Sequence, residues 1–282
     1  MVLGFKIVIA NMLAVLMAQF PFPGNWPKAV HIRDDTQMTY TPFYIHGESR
    51  PSRWLITCDH ACNTVPPDIG KGDLGLPRED MERHIAYDVG AYGVAQHLGT
   101  LLDAPVIASN FSRLVIDPNR GEDDPTLLMK LYDGTIIPQN RTAGKDELYR
   151  RLELCYRPYH DALARMAALP HAVVLSVHSF TRQLRGRPPR PWDVGVLYAD
   201  DERLSRPLID RLTAEPDLCI GANEPYGGHL PGDAIDRHAI EHGRPNVLIE
   251  LRNDLIADHQ QQRAWAERLV PVLTDALAES GV

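Results

Sequence analysis

The sequence predicts an α/β protein, a three-layer α/β/α sandwich built around a mixed, mainly parallel sheet. Short apolar, β-branched runs alternate with longer amphipathic helix patterns along the chain. The runs at residues 53–58, 172–177 and 247–251 each end in polar, titratable residues, which is typical of strands that carry ligands at one edge of an open sheet. The 282 residues, 44% hydrophobic and 23% charged, have the composition of an ordinary globular protein.

The first 38 residues differ from the rest. Residues 7–20 form an apolar run behind Lys6 that is too short to span a bilayer comfortably, and residues 21–36 are irregular and rich in proline. We expect residues 1–38 to be a poorly ordered leader and residues 39–282 to form a single domain. The alternative is that residues 1–20 act as a signal peptide for export.

The elements follow in order from the first strand, at residues 53–58. A loop rich in glycine and proline comes next, and Pro77 then starts a helix whose apolar stripe continues to about Leu102. The remaining predicted elements are strands at 105–108 and 113–116, a long polar loop at 121–144, a helix at 145–168, the central strand at 172–177, an arginine-rich loop at 182–190, a strand at 194–199, a helix at 201–213, a glycine-rich mobile loop at 221–233, a strand at 247–251 and a closing helix at 258–279.

Two histidines at strand ends, His60 and His178, are candidate metal ligands. A zinc hydrolase needs about three protein ligands and one open coordination position. Asp88 is the favoured third ligand, with His84 and Asn63 behind it, because His84 and Asp88 share one face of the predicted helix. Either histidine alone could instead be an ordinary hydrogen-bonded pocket residue.

Glu250 is the candidate general base. It follows four apolar residues, so its carboxylate starts from a half-buried strand end, where burial raises its pKa and suits it to proton transfer. The alternative is a structural ion pair with Arg252 or with an arginine of residues 182–190.

Arginines near residue 117 predict an anionic substrate. Arg113 and Arg120 flank Asn119, and an arginine fork can hold a carboxylate through two parallel hydrogen bonds. Arg252 is a further candidate for the same role. Surface salt bridges are the alternative for each arginine.

The four cysteines show no disulfide framework and no C-x-x-C motif, which favours a reducing, cytoplasmic setting. Cys58 and Cys62 lie on either side of His60, so thiolate ligation of a metal, or a cysteine hydrolase, remains an alternative. The net charge of −8 and the absence of a basic block argue against nucleic acid as a partner. We expect no membrane partner either, and the sequence leaves open whether the chain forms a homo-oligomer.

Several motifs in one order resemble those of the N-formylglutamate amidohydrolase family, and the likeness extends from about Trp54 to Trp265. The segments that carry it are CDHACNTVP (58–66), RHIAYDVGA (83–91), FSRLVIDPNR (111–120), DDPTLL (123–128), DGTIIPQNR (133–141), SVHSFT (176–181), RPWDVGVLY (190–198), NEPYGG (223–228) and IELRNDLIAD (249–258).

The resemblance implies a zinc exopeptidase-like (phosphorylase/hydrolase-like) fold and a divalent metal, zinc. It matches His60 and His178 to metal ligands and Glu250 to the general base. It matches Asn119 and Arg120 to the pair that grips the substrate carboxylate, with Arg113 as a second clamp; the departure is Asn63, where the related carboxypeptidases have a ligating glutamate.

The activity that the resemblance implies is hydrolysis of N-formyl-L-glutamate to formate and L-glutamate, a step of histidine degradation. Two alternatives remain within hydrolysis: a deacylase of other N-acyl amino acids and a small-peptide carboxypeptidase. The alternative from another class is a non-catalytic protein that binds an acyl amino acid.

Overall fold

A computed structural model describes residues 40–282, so the predictions for the leader and for a signal peptide lie outside the described residues. A seven-stranded sheet forms the centre of the described chain, in the order β1-β3-β2-β6-β9-β7-β8. Its strands are β1 (Phe43–His46), β2 (Trp54–Cys58), β3 (Val106–Ser109), β6 (Val173–Phe180), β7 (Val194–Leu197), β8 (Ile220–Ala222) and β9 (Asn246–Arg252), and a separate hairpin joins β4 (Leu131–Tyr132) to β5 (Thr135–Ile136).

The sheet is mixed and mainly parallel, as the sequence predicts. Strand β1 runs antiparallel to β3, and β7 runs antiparallel to β9. The other neighbouring pairs, β2–β3, β2–β6, β6–β9 and β7–β8, are parallel. The carboxyl ends of β2, β6 and β9 therefore meet at one edge, where an open parallel sheet holds its ligands.

Helices cover both faces of this sheet. They are α1 (Arg78–Met81), α2 (Ala91–Leu101), α3 (Pro138–Arg141), α4 (Lys145–Arg151), α5 (Arg157–Ala167), α6 (Ser205–Thr213), α7 (Ala234–His238) and α8 (His259–Ser280), and a π-helical stretch (Leu152–Tyr156) joins α4 to α5.

Alternate residues of each buried strand enter different hydrophobic clusters. Ile56 of β2 packs with side chains of α2, α6 and α8, whereas its neighbour Leu55 packs with side chains of α5. This alternation follows from the two-residue period of a strand that is buried on both faces. The three-layer α/β/α fold class is thereby confirmed.

The single helix predicted from Pro77 to about Leu102 is wrong, because residues 82–90 form turns. Ile85 belongs to the α5-side cluster, and Val94 of α2 belongs to the cluster on the opposite face of the sheet. One straight helix cannot reach both layers. The chain turns at Gly90, whose φ of 83° is readily adopted only by glycine, and a Cβ there would lie 2.2 Å from the carbonyl oxygen of Ile256.

Two other predicted elements also differ. Residues 113–116 are a turn rather than a strand, because Ser112 satisfies the backbone locally: its hydroxyl donates to Ala86 O and accepts from Leu114 N. The central strand extends beyond residue 177 to Phe180, so His178 lies within β6 and shares a face with Ser176. Helix α7, inside the segment after the glycine-rich loop, was not predicted.

No helix within residues 40–282 is both long and apolar enough to cross a membrane.

Candidate active site and metal centre

A cavity of about 240 Å³ opens at the edge where β2, β6 and β9 end. His60 lies just after β2, while His178 and Glu250 belong to β6 and β9 and face each other as Cα partners in the sheet. Asp88 reaches the same cavity from the turns before α2. The sheet thus assembles side chains from distant parts of the sequence.

His60, Asp88 and His178 form a compact cluster in which one ligand atom of each lies within 4.8 Å of the others. All three are buried. Nδ1 of His178 lies 2.8 Å from Oδ2 of Asp88, and Nδ1 of His60 lies 3.3 Å from the same oxygen. Two imidazole nitrogens and one carboxylate oxygen are the donor set of many catalytic zinc sites.

The Nε2 nitrogen of each imidazole, the one that does not face Asp88, contacts a second buried carboxylate. Nε2 of His60 lies 2.7 Å from Oδ1 of Asp117, and Nε2 of His178 lies 3.3 Å from Oδ2 of Asp59. Carboxylates in this position accept a hydrogen bond from Nε2 and so fix the tautomer in which Nδ1 carries the free lone pair. Both histidines are therefore prepared to ligate a cation through Nδ1.

Asp88 is held as an anion. Burial alone would raise the pKa of its carboxyl group, but His60 and His178, when protonated on both ring nitrogens, donate hydrogen bonds to it and carry positive charges that hold that pKa well below its usual range. The backbone N–H of Ser179 also donates to Oδ2, at 3.2 Å. Hydrogen-bond donors thus surround an ionised oxygen that is suited to a metal.

Glu250 lines the same cavity and is only 6% exposed. Its Oε2 atom is buried and forms no hydrogen bond with any described residue. Burial raises the pKa of this carboxyl group to about 8, reinforced by Asp88 and opposed by His178 and Arg113. An unpartnered buried carboxyl group at a cavity wall is a candidate for proton transfer.

Three of the four predicted substrate-binding residues line the cavity, namely Arg113, Asn119 and Arg120. The guanidinium of Arg113 is engaged, however: Nη2 donates to Asp117 at 2.7 Å and Nη1 donates to Asp88 at 3.4 Å. Arg120 forms no ion pair with a described carboxylate, and Nη1 donates to Asn119 O at 2.6 Å. Arg120 is therefore the better placed cation for a bound anion.

Three other candidates lie outside the cavity lining. Asn63 donates from Nδ2 to the carbonyl oxygen of Met81, and Nε2 of His84 lies 3.5 Å from Asp133. Neither takes part in the cluster, because the broken helix removes the shared face on which the prediction for His84 depended. The guanidinium of Arg252 forms ion pairs with Asp193 and Asp254, each with an N–O distance of 2.7 Å. It therefore neither pairs with Glu250 nor lines the cavity.

The two cysteines near His60 do not provide an activated thiolate. Burial, together with the nearby Asp88 and Asp59 carboxylates, raises the pKa of Cys58 well above its usual value. Burial also raises the pKa of Cys62. A nucleophilic cysteine needs the opposite shift, so the geometry disfavours a cysteine hydrolase.

Sequence reasoning missed the positioning carboxylates Asp59 and Asp117. Asp59 precedes His60 directly and also accepts a hydrogen bond from the Tyr159 hydroxyl. Asp117 stands between the two predicted arginines. In the sequence, each of these aspartates lies next to or between predicted site residues, and that position could have indicated a role in the site. Only the folded chain shows which imidazole nitrogen each carboxylate faces.

Comparisons with known proteins identify the family to which the chain belongs. The sequence profile of the family described as N-formylglutamate amidohydrolase matches residues 52–257. The N-formylglutamate deformylase of Pseudomonas aeruginosa is 26% identical over 254 residues, which cover 80% of this chain and 90% of that protein.

Two solved structures are similar across nearly their whole length. The Atu2144 gene product of Agrobacterium tumefaciens has a TM-score of 0.79 and 31% identity, covering 86% of this chain and 97% of its own. The N-formylglutamate amidohydrolase of Ralstonia eutropha JMP134 has a TM-score of 0.62 and 21% identity, covering 84% and 98% respectively, and it supports the fold alone. Because the family profile spans most of the described chain, the protein belongs to the N-formylglutamate amidohydrolase family and is an amide hydrolase.

Proposed function

We propose that the protein is a metal-dependent hydrolase of the linear amide of an N-acyl amino acid. The observation that carries this proposal is the convergence of His60, His178 and Asp88 beside the unpartnered Glu250 carboxyl group in one small cavity. Structural ion-pair networks rarely leave a buried carboxyl oxygen without a partner, whereas catalytic sites do so where a reacting group must bind.

The residues present fit a divalent cation, zinc being the first choice. His60 and His178 would hold it through Nδ1 and Asp88 through Oδ2, with Asp117 and Asp59 fixing the two imidazoles. Such a cation, when bound, would supply Lewis acidity that polarises the amide carbonyl.

Proton transfer falls to Glu250. Glu250 lines the cavity and its Oε2 atom accepts no hydrogen bond from residues 40–282, so this atom can accept a proton from the attacking water. The same oxygen can return that proton to the departing amine nitrogen, which lets one carboxyl group serve both halves of the reaction.

Substrate orientation falls to Asn119 and Arg120. The side-chain oxygen of Asn119 accepts a hydrogen bond from Ala234 N at 3.3 Å, and its backbone N–H donates to Asp117 at 2.9 Å. These bonds fix the side chain beside Arg120 without using its amide nitrogen. An amide donor next to a guanidinium can hold the carboxylate of an amino acid.

N-formyl-L-glutamate is the first substrate to assay, because the curated relatives are named for its deformylation. A place in histidine degradation, a cytoplasmic location, a small anionic N-acyl amino acid as the substrate and the absence of nucleic-acid and membrane partners stay predictions, and so does the possibility of a homo-oligomer. The small cavity gives no specific support to a peptide substrate, since pockets for larger ligands have volumes of roughly 300–1,000 Å³.

The test is formate release from N-formyl-L-glutamate and from a panel of other N-formyl amino acids, before chelation, after chelation and after zinc is added back. We expect activity to be lost with the chelator and restored by zinc. Activity that survives complete metal removal would refute the metal-dependent mechanism. A thiol-alkylated sample is the control, because a cysteine mechanism would be lost on alkylation.

A further inference from the structure

One helical segment lies behind both halves of the candidate site. The π-helical stretch Leu152–Tyr156 ends in Tyr156, and Tyr159 follows three residues later in α5. Residues three apart in a helix are neighbours on its surface, and both tyrosines are fully buried. Their hydroxyl groups nevertheless donate to two different parts of the site.

Tyr156 binds the backbone of the residues that are proposed to hold the substrate carboxylate. We call Asn119 and Arg120 the carboxylate clamp. The Tyr156 hydroxyl donates to the carbonyl oxygen of Arg120 at 2.6 Å. Nη1 of the buried Arg151, at the end of α4, donates to the carbonyl oxygen of Val115 at 2.7 Å. Two side chains of the same helical segment therefore hold the loop that carries the carboxylate clamp.

The guanidinium of Arg120 depends on this backbone anchor because few bonds fix the side chain itself. Nε donates to Oγ1 of Thr126 at 3.1 Å, and Nη1 donates to the carbonyl oxygen of Asn119 at 2.6 Å. Nη2 forms no hydrogen bond with another residue of 40–282, and the side chain lines the cavity. Asn119 directly precedes Arg120, so a shift of the Arg120 carbonyl group would displace both members of the carboxylate clamp.

Tyr156 does not line the cavity and is itself held on both sides. The centroid of the His160 ring lies 4.2 Å from that of Tyr156, and the guanidinium of Arg237 lies over the Tyr156 ring at 5.2 Å. Arg237 belongs to α7, whose Ala234 donates its backbone N–H to Asn119. Helix α7 thus contacts both Tyr156 and the carboxylate clamp. Burial raises the pKa of Tyr156 to about 12, so its hydroxyl stays a donor at neutral pH.

The sequence accounts for the irregular helix at this point. Pro158 is the second residue of α5, and proline has no N–H to donate to the carbonyl oxygen of Leu154. Its ring would also clash with that oxygen in a regular helix. The wider π-helical turns of residues 152–156 relieve this conflict, and such turns occur frequently at functional sites. The direction of the Tyr156 side chain follows from them.

Tyr159 supports the metal half of the site instead. Its hydroxyl donates to Oδ1 of Asp59, and Oδ2 of Asp59 lies 3.3 Å from Nε2 of His178. Tyr159 therefore acts on a metal-ligand candidate through one buried carboxylate. One helical segment thus anchors the carboxylate clamp through Tyr156 and the His178 imidazole through Tyr159.

We propose that Tyr156 is a positioning residue for substrate binding, which acts through Arg120 and does not touch the substrate. By holding the Arg120 carbonyl oxygen, it fixes the distance between the carboxylate clamp and the metal-ligand candidates. An N-acyl amino acid must span this distance between its carboxylate and its scissile amide, and a misplacement of about 1 Å is enough to weaken such an arrangement. This inference rests on the proposed function.

The test compares Tyr156→Phe with Tyr159→Phe in the zinc-loaded enzyme, with N-formyl-L-glutamate as the substrate. Tyr156→Phe keeps the ring and its packing and removes only the hydroxyl that binds Arg120. We expect KM to rise about threefold to tenfold, the effect of one hydrogen bond, with kcat and the zinc dissociation constant within about twofold of the wild type. Tyr159→Phe should show the opposite division, with KM within about twofold and zinc bound about threefold to tenfold more weakly. Circular dichroism establishes that both variants are folded.

A double-mutant cycle determines whether Tyr156 acts through the carboxylate clamp. Arg120→Gln removes the cation, so adding Tyr156→Phe in that background should change kcat/KM by less than about twofold. If Tyr156→Phe lowers kcat/KM by the same factor with and without Arg120, its role is general stability and the proposal is overturned. Tyr149→Phe is the matched control, because Tyr149 is 58% exposed on α4; it should have the KM of the wild type.

The dissociation constant of N-formyl-L-glutamate separates this proposal from the proposed function. Calorimetry in a Glu250→Gln background measures binding of the compound without turnover. If the wild type releases no formate but Tyr156→Phe still weakens binding, the proposed function fails and the positioning role stands. If formate is released and Tyr156→Phe has the KM and dissociation constant of its parent protein, the positioning role is overturned and the hydrolase function stands. A compound that is neither hydrolysed nor bound would overturn both.

Discussion

At the scale of single residues, the site depends on carboxylates that contact no substrate. Asp59 is fully buried and faces Nε2 of His178, the Tyr159 hydroxyl and the Ser176 hydroxyl. Burial would raise the pKa of Asp59, but the hydrogen bonds from His178 and Tyr159, together with the charges of His178 and His60, outweigh it and lower that pKa. The orientation of a metal ligand therefore depends on a residue that does not ligate.

Replacing Asp59 by asparagine tests this dependence. Asp59→Asn removes the charge and leaves one acceptor oxygen for three donors, so the imidazole of His178 loses its fixed orientation. We expect the affinity for zinc to fall about 10–100-fold. Competition with a chromophoric chelator measures the dissociation constant.

The matched control for this variant is Asp68→Asn, which changes an exposed carboxylate. Its zinc affinity should equal that of the wild type. Circular dichroism establishes that both variants are folded. An unchanged affinity in a folded Asp59→Asn protein would show that His178 is oriented without Asp59.

Glu250→Gln separates chemistry from metal binding. Glutamine is close in size to glutamate but cannot accept and return the proton, so we expect kcat to fall by about 10²–10⁴-fold. The zinc content, measured by mass spectrometry, should stay that of the wild type because Glu250 is not in the three-residue cluster. A variant with full activity would remove Glu250 from the mechanism.

At the scale of elements, the sequence predicts strands better than it predicts the segments between them. The central strands are apolar runs buried on both faces, so their existence can be predicted from the local pattern alone. The break at Gly90 cannot, because the apolar stripe through Ile85 and Val94 has helical spacing even though the two side chains enter different layers. The chain must turn because the two side chains belong to helical layers on opposite faces of the sheet, which the local sequence pattern does not reveal.

The same distinction governs the site. His60, His178 and Glu250 were predicted because each ends or interrupts an apolar strand, and the cavity indeed contains all three. Arg252 has the same local pattern but pairs with Asp193 and Asp254, which lie outside its own strand. Whether an arginine faces a ligand or a neighbouring carboxylate is a property of the packed structure.

Gly195 couples β7 to the loop over the cavity. It is the Cα partner of Glu250, and a Cβ on residue 195 would lie 2.2 Å from the carbonyl oxygen of Glu224. Glu224 immediately precedes the segment that contributes Tyr226 and Leu230 to the cavity lining. The carbonyl oxygen of Glu224 belongs to the backbone, so it cannot move away from a new Cβ unless the whole segment moves.

We expect Gly195→Ala to lower the free energy of unfolding by about 1–3 kcal/mol through overpacking and to raise KM by displacing the loop. Urea unfolding and steady-state kinetics measure the two effects. Gly227→Ala is the control, since no atom lies within 4 Å of a Cβ built there, and it should be as stable as the wild type. An unaltered KM in Gly195→Ala would show that the loop position does not control binding.

At the scale of the whole molecule, the sheet edge gathers buried titratable groups in addition to those of the site. His160 of α5 and His238 of α7 pack with their rings stacked, and Nδ1 of His160 lies 2.8 Å from Nε2 of His238. Burial, together with their mutual proximity and nearby Arg237, lowers the pKa of His160 to about 3. Burial, opposed by Asp59 and reinforced by Arg237, lowers that of His238 to about 4. Both are therefore mainly neutral in the folded protein at pH values above about 4.

These lowered pKa values make the free energy of unfolding depend on pH. Between about pH 6.5 and pH 4 the unfolded chain binds protons at both histidines while the folded protein does not, so stability falls as the pH falls. Asp233 acts in the opposite direction, because its raised pKa of about 6 lets the folded protein bind a proton in the same window. Two histidines outweigh one aspartate among these three groups.

His160→Gln tests the contribution of one member of the pair. The variant should show a shallower loss of stability between pH 6.5 and pH 4.5 than the wild type, by up to about 1.4 kcal/mol per pH unit for the one proton removed. Urea unfolding at half-unit intervals of pH measures both curves, and their difference cancels the groups that the two proteins share. His259→Gln, which changes an exposed histidine at the start of α8, should follow the wild type. Parallel curves for His160→Gln and the wild type would mean that the buried pair takes up protons in the folded state, contrary to its burial and stacking.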